Sequence, residues 1–137
     1  MATVEHSGVT INASESDLRL PWRRGTKSVV FHHGLGACAD IWLGWLGALS
    51  DRYRTVRFDM RGHGTSQGQR SAQSLDLATL LGDLDAVISS TGEEPVHLVG
   101  ESIGGTIAMA YAVTWHEKVS TLNIRNGSHR GGSLQDP

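Results

Sequence analysis

Short β-branched and aromatic runs alternating with stretches of helical period leave a chain of this size few folds to choose from. Ser28-Val-Val-Phe-His-His33, Thr55-Val-Arg-Phe58 and Val96-His-Leu-Val99 have the make-up of buried strands. Between the first two, Ile41, Trp42, Trp45, Leu46 and Leu49 recur at helical spacing, with Asp40 as a candidate N-cap. Before the third, Leu77, Leu81, Leu84 and Ile88 recur at i, i+4, i+7 and i+11 and predict an amphipathic helix closed by Thr91-Gly92. A helix rich in Ala and Gly is predicted over Ile103–Trp115, then a last strand over Val119–Ile124. Weaker strand signals lie around Val4 and over Val9–Ile11, and Arg19–Lys27 reads as a surface connection. Strands alternating with helices of this length pair in parallel through right-handed crossovers. The expected class is α/β, a mostly parallel sheet with flanking helices.

Charge and cysteine content narrow the function. The 137 residues carry 12 Lys and Arg against 14 Asp and Glu, a net charge of −2. That balance excludes a basic nucleic-acid binder and an acidic tail protein. The longest apolar runs fall far short of the ~18 residues a membrane span needs. Cys38 is the single cysteine, which excludes an intrachain disulfide and a thiolate-rich zinc site. Met1-Ala-Thr-Val-Glu-His-Ser7 lacks the basic and apolar regions of a secretory signal. The expectation is a cytoplasmic globular chain with no metal, organic cofactor, nucleic-acid or membrane partner.

The chemistry centres on Gly100-Glu-Ser-Ile-Gly104, between the strand ending at Val99 and the helix running on from Ile103. G-x-S-x-G in a strand–turn–helix setting is the pattern of a nucleophile elbow. A serine is a poor nucleophile unless a base takes its proton and its hydroxyl is held toward the substrate. A sharp turn does the second at the cost of backbone strain at Ser102. Gly100 and Gly104 lack the Cβ atoms that would collide where the helix doubles back on the strand. The N–H of Ile103, at the helix N-terminus, can stabilise a developing oxyanion. The plain alternative is a glycine-softened turn with an incidental serine.

An acyl-transfer site needs a second N–H aimed at the same oxygen. Phe31-His-His-Gly-Leu-Gly36 leaves the first buried strand, and glycine at 34 lets the amide of Leu35 face a substrate. Taken alone, this is equally a βα loop with a packed His33.

His33-Gly-Leu-Gly36, Asp59-Met-Arg-Gly-His-Gly-Thr-Ser66 and Gly100-Glu-Ser-Ile-Gly-Gly105, in this order and spacing, resemble the α/β-hydrolase superfamily over residues ~28–125. The nearest flavour is that of small bacterial esterases, enol-lactonases and cofactor-free haloperoxidase-like proteins. The resemblance implies Ser102 as nucleophile and the Leu35 and Ile103 amides as the oxyanion hole. It implies that Asp59–Ser66, with His63, is a structural turn. Serine at the elbow, where dehalogenases and epoxide hydrolases use a carboxylate, implies ester, lactone or thioester hydrolysis through an acyl-enzyme. It also implies a chain roughly twice as long, with a cap and more strands. Residues 1–125 are then the N-terminal portion of the hydrolase core, cut after the sixth strand, and 126–137 a polar, Gly-rich tail.

A rival sits in the same residues. Gly34-Leu-Gly-Ala-Cys-Ala39 satisfies G-x-G-x-x-G/A, and Asp59 falls about 20 residues on, as a dinucleotide fingerprint expects. Against it, Asp40 would repel a pyrophosphate at the helix N-terminus. It also leaves Arg61–Ser66 and Gly100–Gly105 unexplained.

The acid and base are the gap. In chain order they should follow Ser102, where the sequence offers His116, Glu117, His129 and Asp136. His116 and Glu117 close the helix at its far end, ~20 Å from the serine. His129 lies past the last strand, at the correct sheet edge, and is the candidate base. Asp136 follows it in reversed order. A catalytically inactive remnant of the fold is therefore the non-enzyme alternative. Val119–Ile124 as an uncovered edge predicts self-association. Cys38 reads as a small buried apolar residue, and Trp42 and Trp45 as core.

Overall fold

The computed structural model describes residues 2–23, 25, 27–66 and 75–127. Six strands, β1 (Ala2–His6), β2 (Val9–Ser16), β3 (Val29–His32), β4 (Thr55–Phe58), β5 (Val96–Glu101) and β6 (Val119–Arg125), form one sheet in the order β1-β2-β4-β3-β5-β6. β4, β3, β5 and β6 run parallel. β1 and β2 are antiparallel additions on the β4 side. The Val9–Ile11 signal is therefore the start of an eight-residue strand. Its continuation, Asn-Ala-Ser-Glu-Ser, has too little apolar character to read as one.

Both faces of β3 are buried, as the run Val29-Val-Phe-His32 requires. Val30, with Val56, Phe58 and Leu98, joins the larger core under α2 (Leu77–Ser90) and α3 (Ile103–Thr114). Val29 and Phe31 join Trp42 and Val99 in a smaller core beside α1 (Leu43–Leu49). An open cleft of about 390 Å³ lies between α1 and the β3–β5–β6 face, lined in part by Trp45, Tyr53, His97 and Val99.

Three local expectations change. Residues Ala39–Trp42 form a 3₁₀ turn ahead of α1, so Asp40 stands in its first turn, and Cys38 takes the N-cap place. The buried face of α2 is Leu80, Leu84, Val87 and Ile88 together with Asp83, while Leu77 is half exposed. Leu84 and Ile88 of the predicted row belong to this face and Leu81 packs against it, so only Leu77, the first residue of the helix, departs from the row. Trp42 is fully buried against Phe31, but Trp45 is 41% exposed at the cleft, and Cys38 is half-buried beside Asp40 and Asp59. The N-cap of α2 is Asp76, whose carboxylate accepts from Thr79 N.

Candidate active site

The carboxyl ends of β3, β4 and β5 bring three motifs together. β5 ends at Glu101 and α3 starts at Ile103, so the chain reverses at one residue. That residue, Ser102, has φ 54° and ψ −124° and is exposed. A non-glycine backbone held there costs on the order of 1–3 kcal/mol and persists only where its surroundings impose it. The surroundings are visible. Ser102 N–H donates to the Arg125 carbonyl at the end of β6 (2.9 Å), and the Ser102 carbonyl accepts from Thr106 N–H (3.1 Å). Among the described residues the Ser102 Oγ makes no hydrogen bond.

The glycines of the motif are forced by contact. A Cβ on Gly100 would lie 2.6 Å from the Gly104 carbonyl oxygen and 2.7 Å from Gly105 Cα. A Cβ on Gly104 would run into the carbonyl oxygens of His32 and His33. α3 thus rests directly on the backbone of β5 and on the loop leaving β3. In that loop, a Cβ on Gly34 would fall 2.9 Å from Ser102 Cβ and 3.6 Å from Ser102 Oγ. Leu35, next in the chain, is 64% exposed. Ile103 is the first residue of α3, so its N–H has no acceptor inside the helix.

Two buried histidines hold the loop. His33 Nδ1 donates to the Gly34 carbonyl (2.7 Å), and its Nε2 accepts from Met60 N–H (2.9 Å). Those two bonds require the neutral Nδ1–H tautomer. Because a trans peptide sets C=O and N–H on opposite sides, pinning the Gly34 carbonyl turns the Leu35 N–H away from the imidazole. His32 Nδ1 donates to the His33 carbonyl (2.9 Å). Burial pushes His32 down to about 4 and lowers His33, with the backbone bonds opposing in each case. The sequence offers a packed His33 only as the plain alternative to an oxyanion loop, and gives His32 no role. Two consecutive histidines at the end of a fully buried strand were the signal that they bond to backbone.

Asp59 binds the neighbouring turn. Its carboxylate accepts from Ala39 N–H (2.7 Å), Thr65 N–H (2.8 Å) and Thr65 Oγ1 (2.9 Å). Burial raises the Asp59 carboxyl, but these bonds outweigh it and hold it below its ordinary value. His63 sits within this turn, Nδ1 against the Arg61 carbonyl. The turn is structural, and the carboxylate that a dinucleotide ribose would need is already occupied.

Glu101 pairs loosely with Arg125 (3.9 Å). His116 and Glu117 are 87% and 60% exposed at the far end of α3. The candidate base His129, like Asp136, lies outside the described residues. Among the described residues, no group of three or more His, Cys, Asp or Glu is placed to hold a metal, and no helix is long and apolar enough to cross a membrane.

The arrangement can present one exposed hydroxyl to an electrophile beside two backbone N–H groups. Known proteins share the fold and much of the sequence. The family model for the alpha/beta hydrolase fold matches residues 27–133, and the chain belongs to that family. Among curated relatives, it is 37% identical over 100 residues to the dihydrolipoyllysine-residue acetyltransferase component of the acetoin cleaving system of Cupriavidus necator, covering 73% of this chain and 26% of that protein. It is 38% identical over 103 residues to monoacylglycerol lipase abhd6-B of Xenopus laevis, covering 71% and 29%. An epoxide hydrolase structure from Bacillus megaterium superposes with a TM-score of 0.83 at 24% identity, covering 93% of this chain and 43% of that one, a likeness of fold. The chain spans between 25% and 43% of the length of eight curated relatives it matches.

Proposed function

We propose that the chain carries the nucleophile and oxyanion-binding part of a serine hydrolase acting on carboxylic ester, lactone or thioester bonds. The observation that carries this reading is Ser102, exposed at φ 54° on the turn from β5 into α3, with Gly34 in contact with it. Ser102 Oγ attacks the acyl carbon, and the resulting oxyanion accepts from the Leu35 and Ile103 N–H groups. The C–O or C–S bond to the leaving group breaks, and the leaving group departs with the hydroxyl proton. Water then hydrolyses the acyl-enzyme. Proton transfer needs a base at Ser102 Oγ, and His129 is the candidate within this sequence. A hydroxyl at position 102 favours acyl transfer over carboxylate-based epoxide opening.

Incubation of the whole chain with a fluorophosphonate probe, followed by peptide mapping, tests the reading. Adduct on Ser102 that forms at least about a hundredfold faster than on a typical surface serine supports an activated nucleophile. Labelling of Ser102 no faster than of Ser90 supports the alternative, an inactive form of the fold.

A further inference from the structure

We propose that Ser7, His6 and Asp83 make a second activated serine at the β1–β2 hairpin, able to accept an acyl group from activated aryl esters and acyl thioesters. It stands apart from Ser102 and does not rest on the function proposed there. Asp83 lies on the buried face of α2, 2% exposed. His6 Nδ1 is 2.7 Å from its Oδ1, and the Ser7 hydroxyl is 3.3 Å from His6 Nε2. One neutral tautomer meets both contacts: Nδ1–H donates to the carboxylate, and Nε2 accepts from the serine. Carboxylate, imidazole and hydroxyl therefore stand in the order that activates a serine nucleophile.

The seat for the ring is built into α2. A Cβ on Gly82 would strike the His6 ring, with Nε2 at 2.7 Å and Cε1 closer still. Glycine inside a helix costs about 1 kcal/mol against alanine, and here it makes room for the imidazole beside Asp83. Arg61 fixes the carboxylate from its other side, through Nε to Oδ2 (2.5 Å) and Nη2 to Oδ1 (2.6 Å). Ser7 itself is exposed, with φ 49°, in the two-residue turn it forms with Gly8 (φ 71°). Among the described residues, only Ser7, Ser102 and Asn126 are non-glycine residues with positive φ. Both serines of that set are thus displayed on sharp turns.

In the step, the Ser7 Oγ–C bond forms as His6 Nε2 takes the hydroxyl proton, and Asp83 keeps its bond to Nδ1–H. The bond to the leaving group then breaks, and the phenolate or thiolate leaves with the electron pair and takes the proton from His6. Leaving groups of this kind suit a turn that lacks the helix N-terminus available at Ser102.

The test uses the whole chain carrying Ser102→Ala, p-nitrophenyl acetate as acyl donor, and mass-spectrometric mapping of acetylated serines. Ser7 acetylates at least about a hundredfold faster than the exposed Ser90, and His6→Gln brings it to the Ser90 rate. Gly82→Ala, which displaces the ring without removing it, lowers the rate in the same direction and serves if His6→Gln unfolds. Acetylation of Ser7 at the Ser90 rate, or a rate unchanged by both variants, overturns the proposal.

Discussion

Gly34 lies against Ser102 so closely that a Cβ at position 34 would stand 2.9 Å from the serine Cβ. The loop leaving β3 and the turn leaving β5 thus meet across a gap that only hydrogen fills. Gly34→Ala must push Ser102 or the Leu35 peptide out of place. The expected result is a loss of Ser102 fluorophosphonate labelling of about a hundredfold, comparable to losing one oxyanion donor. Folding should suffer less, by about 1–3 kcal/mol, read from urea midpoints of the same variant.

Acid should destabilise the fold through its buried histidines. His32 is pushed down to about 4 and His33 is lowered, both by burial first. Above pH ~6.5 these rings are neutral in folded and unfolded chains alike, so their preference for the fold is fully present. As pH falls below that value, the unfolded chain takes up protons that the folded chain refuses. Stability then drops from pH ~6.5 toward pH ~4, at up to about 1.4 kcal/mol per pH unit for His32, with His33 acting in the same direction. Urea unfolding at intervals across that window checks it, and a flat profile contradicts it.

Arg61 and Asp83 are 3% exposed at their side chains and bonded at two points. Arg61→Met leaves Asp83 buried with only His6 as a charged-capable partner. The expected loss is about 3–5 kcal/mol, the cost of stranding a buried charge. Removing both partners, with Asp83→Leu added, should recover much of that loss. A double-mutant cycle on denaturation midpoints measures the recovery.

β6 pairs with β5 on one side, and Thr121, Leu122 and Asn123 are exposed along it. Among the described residues its outer edge has no strand beside it, and such an edge is a template for another strand. The chain by itself is expected to self-associate with rising concentration. Leu122→Lys should shift it toward monomer in sedimentation velocity, whereas a monodisperse parent chain would refute the idea.

Much of the site was legible because local sequence alone fixes it. Gly100, Ser102, Gly104 and the strand and helix around them are one contiguous segment, and Gly100 answers to contacts four and five residues away, whereas Gly104 answers to the distant carbonyls of His32 and His33. Leu35 and Gly34 were readable for the same reason, since a buried run followed by Gly-x-Gly must turn at the strand end. What escaped depends on contacts distant in sequence. In α2 the predicted row holds at Leu81, Leu84 and Ile88, and what it lacks is Leu80, Asp83 and Val87, buried on a helix that packs against α3 and β1. His6, Gly82 and Asp83 converge only after the hairpin folds onto α2. Nothing local distinguishes a histidine in an exposed hairpin from one seated on a buried carboxylate. The length of β2 was hidden because its polar half is held by pairing with β4 rather than by its own apolar character.

The hydrogen bond from Ser102 N–H to the Arg125 carbonyl links the Ser102 turn to β6 by a single peptide group. Any displacement of β6 pulls on the amide of Ser102, so the pose of the serine is set partly by a strand that carries none of its motif.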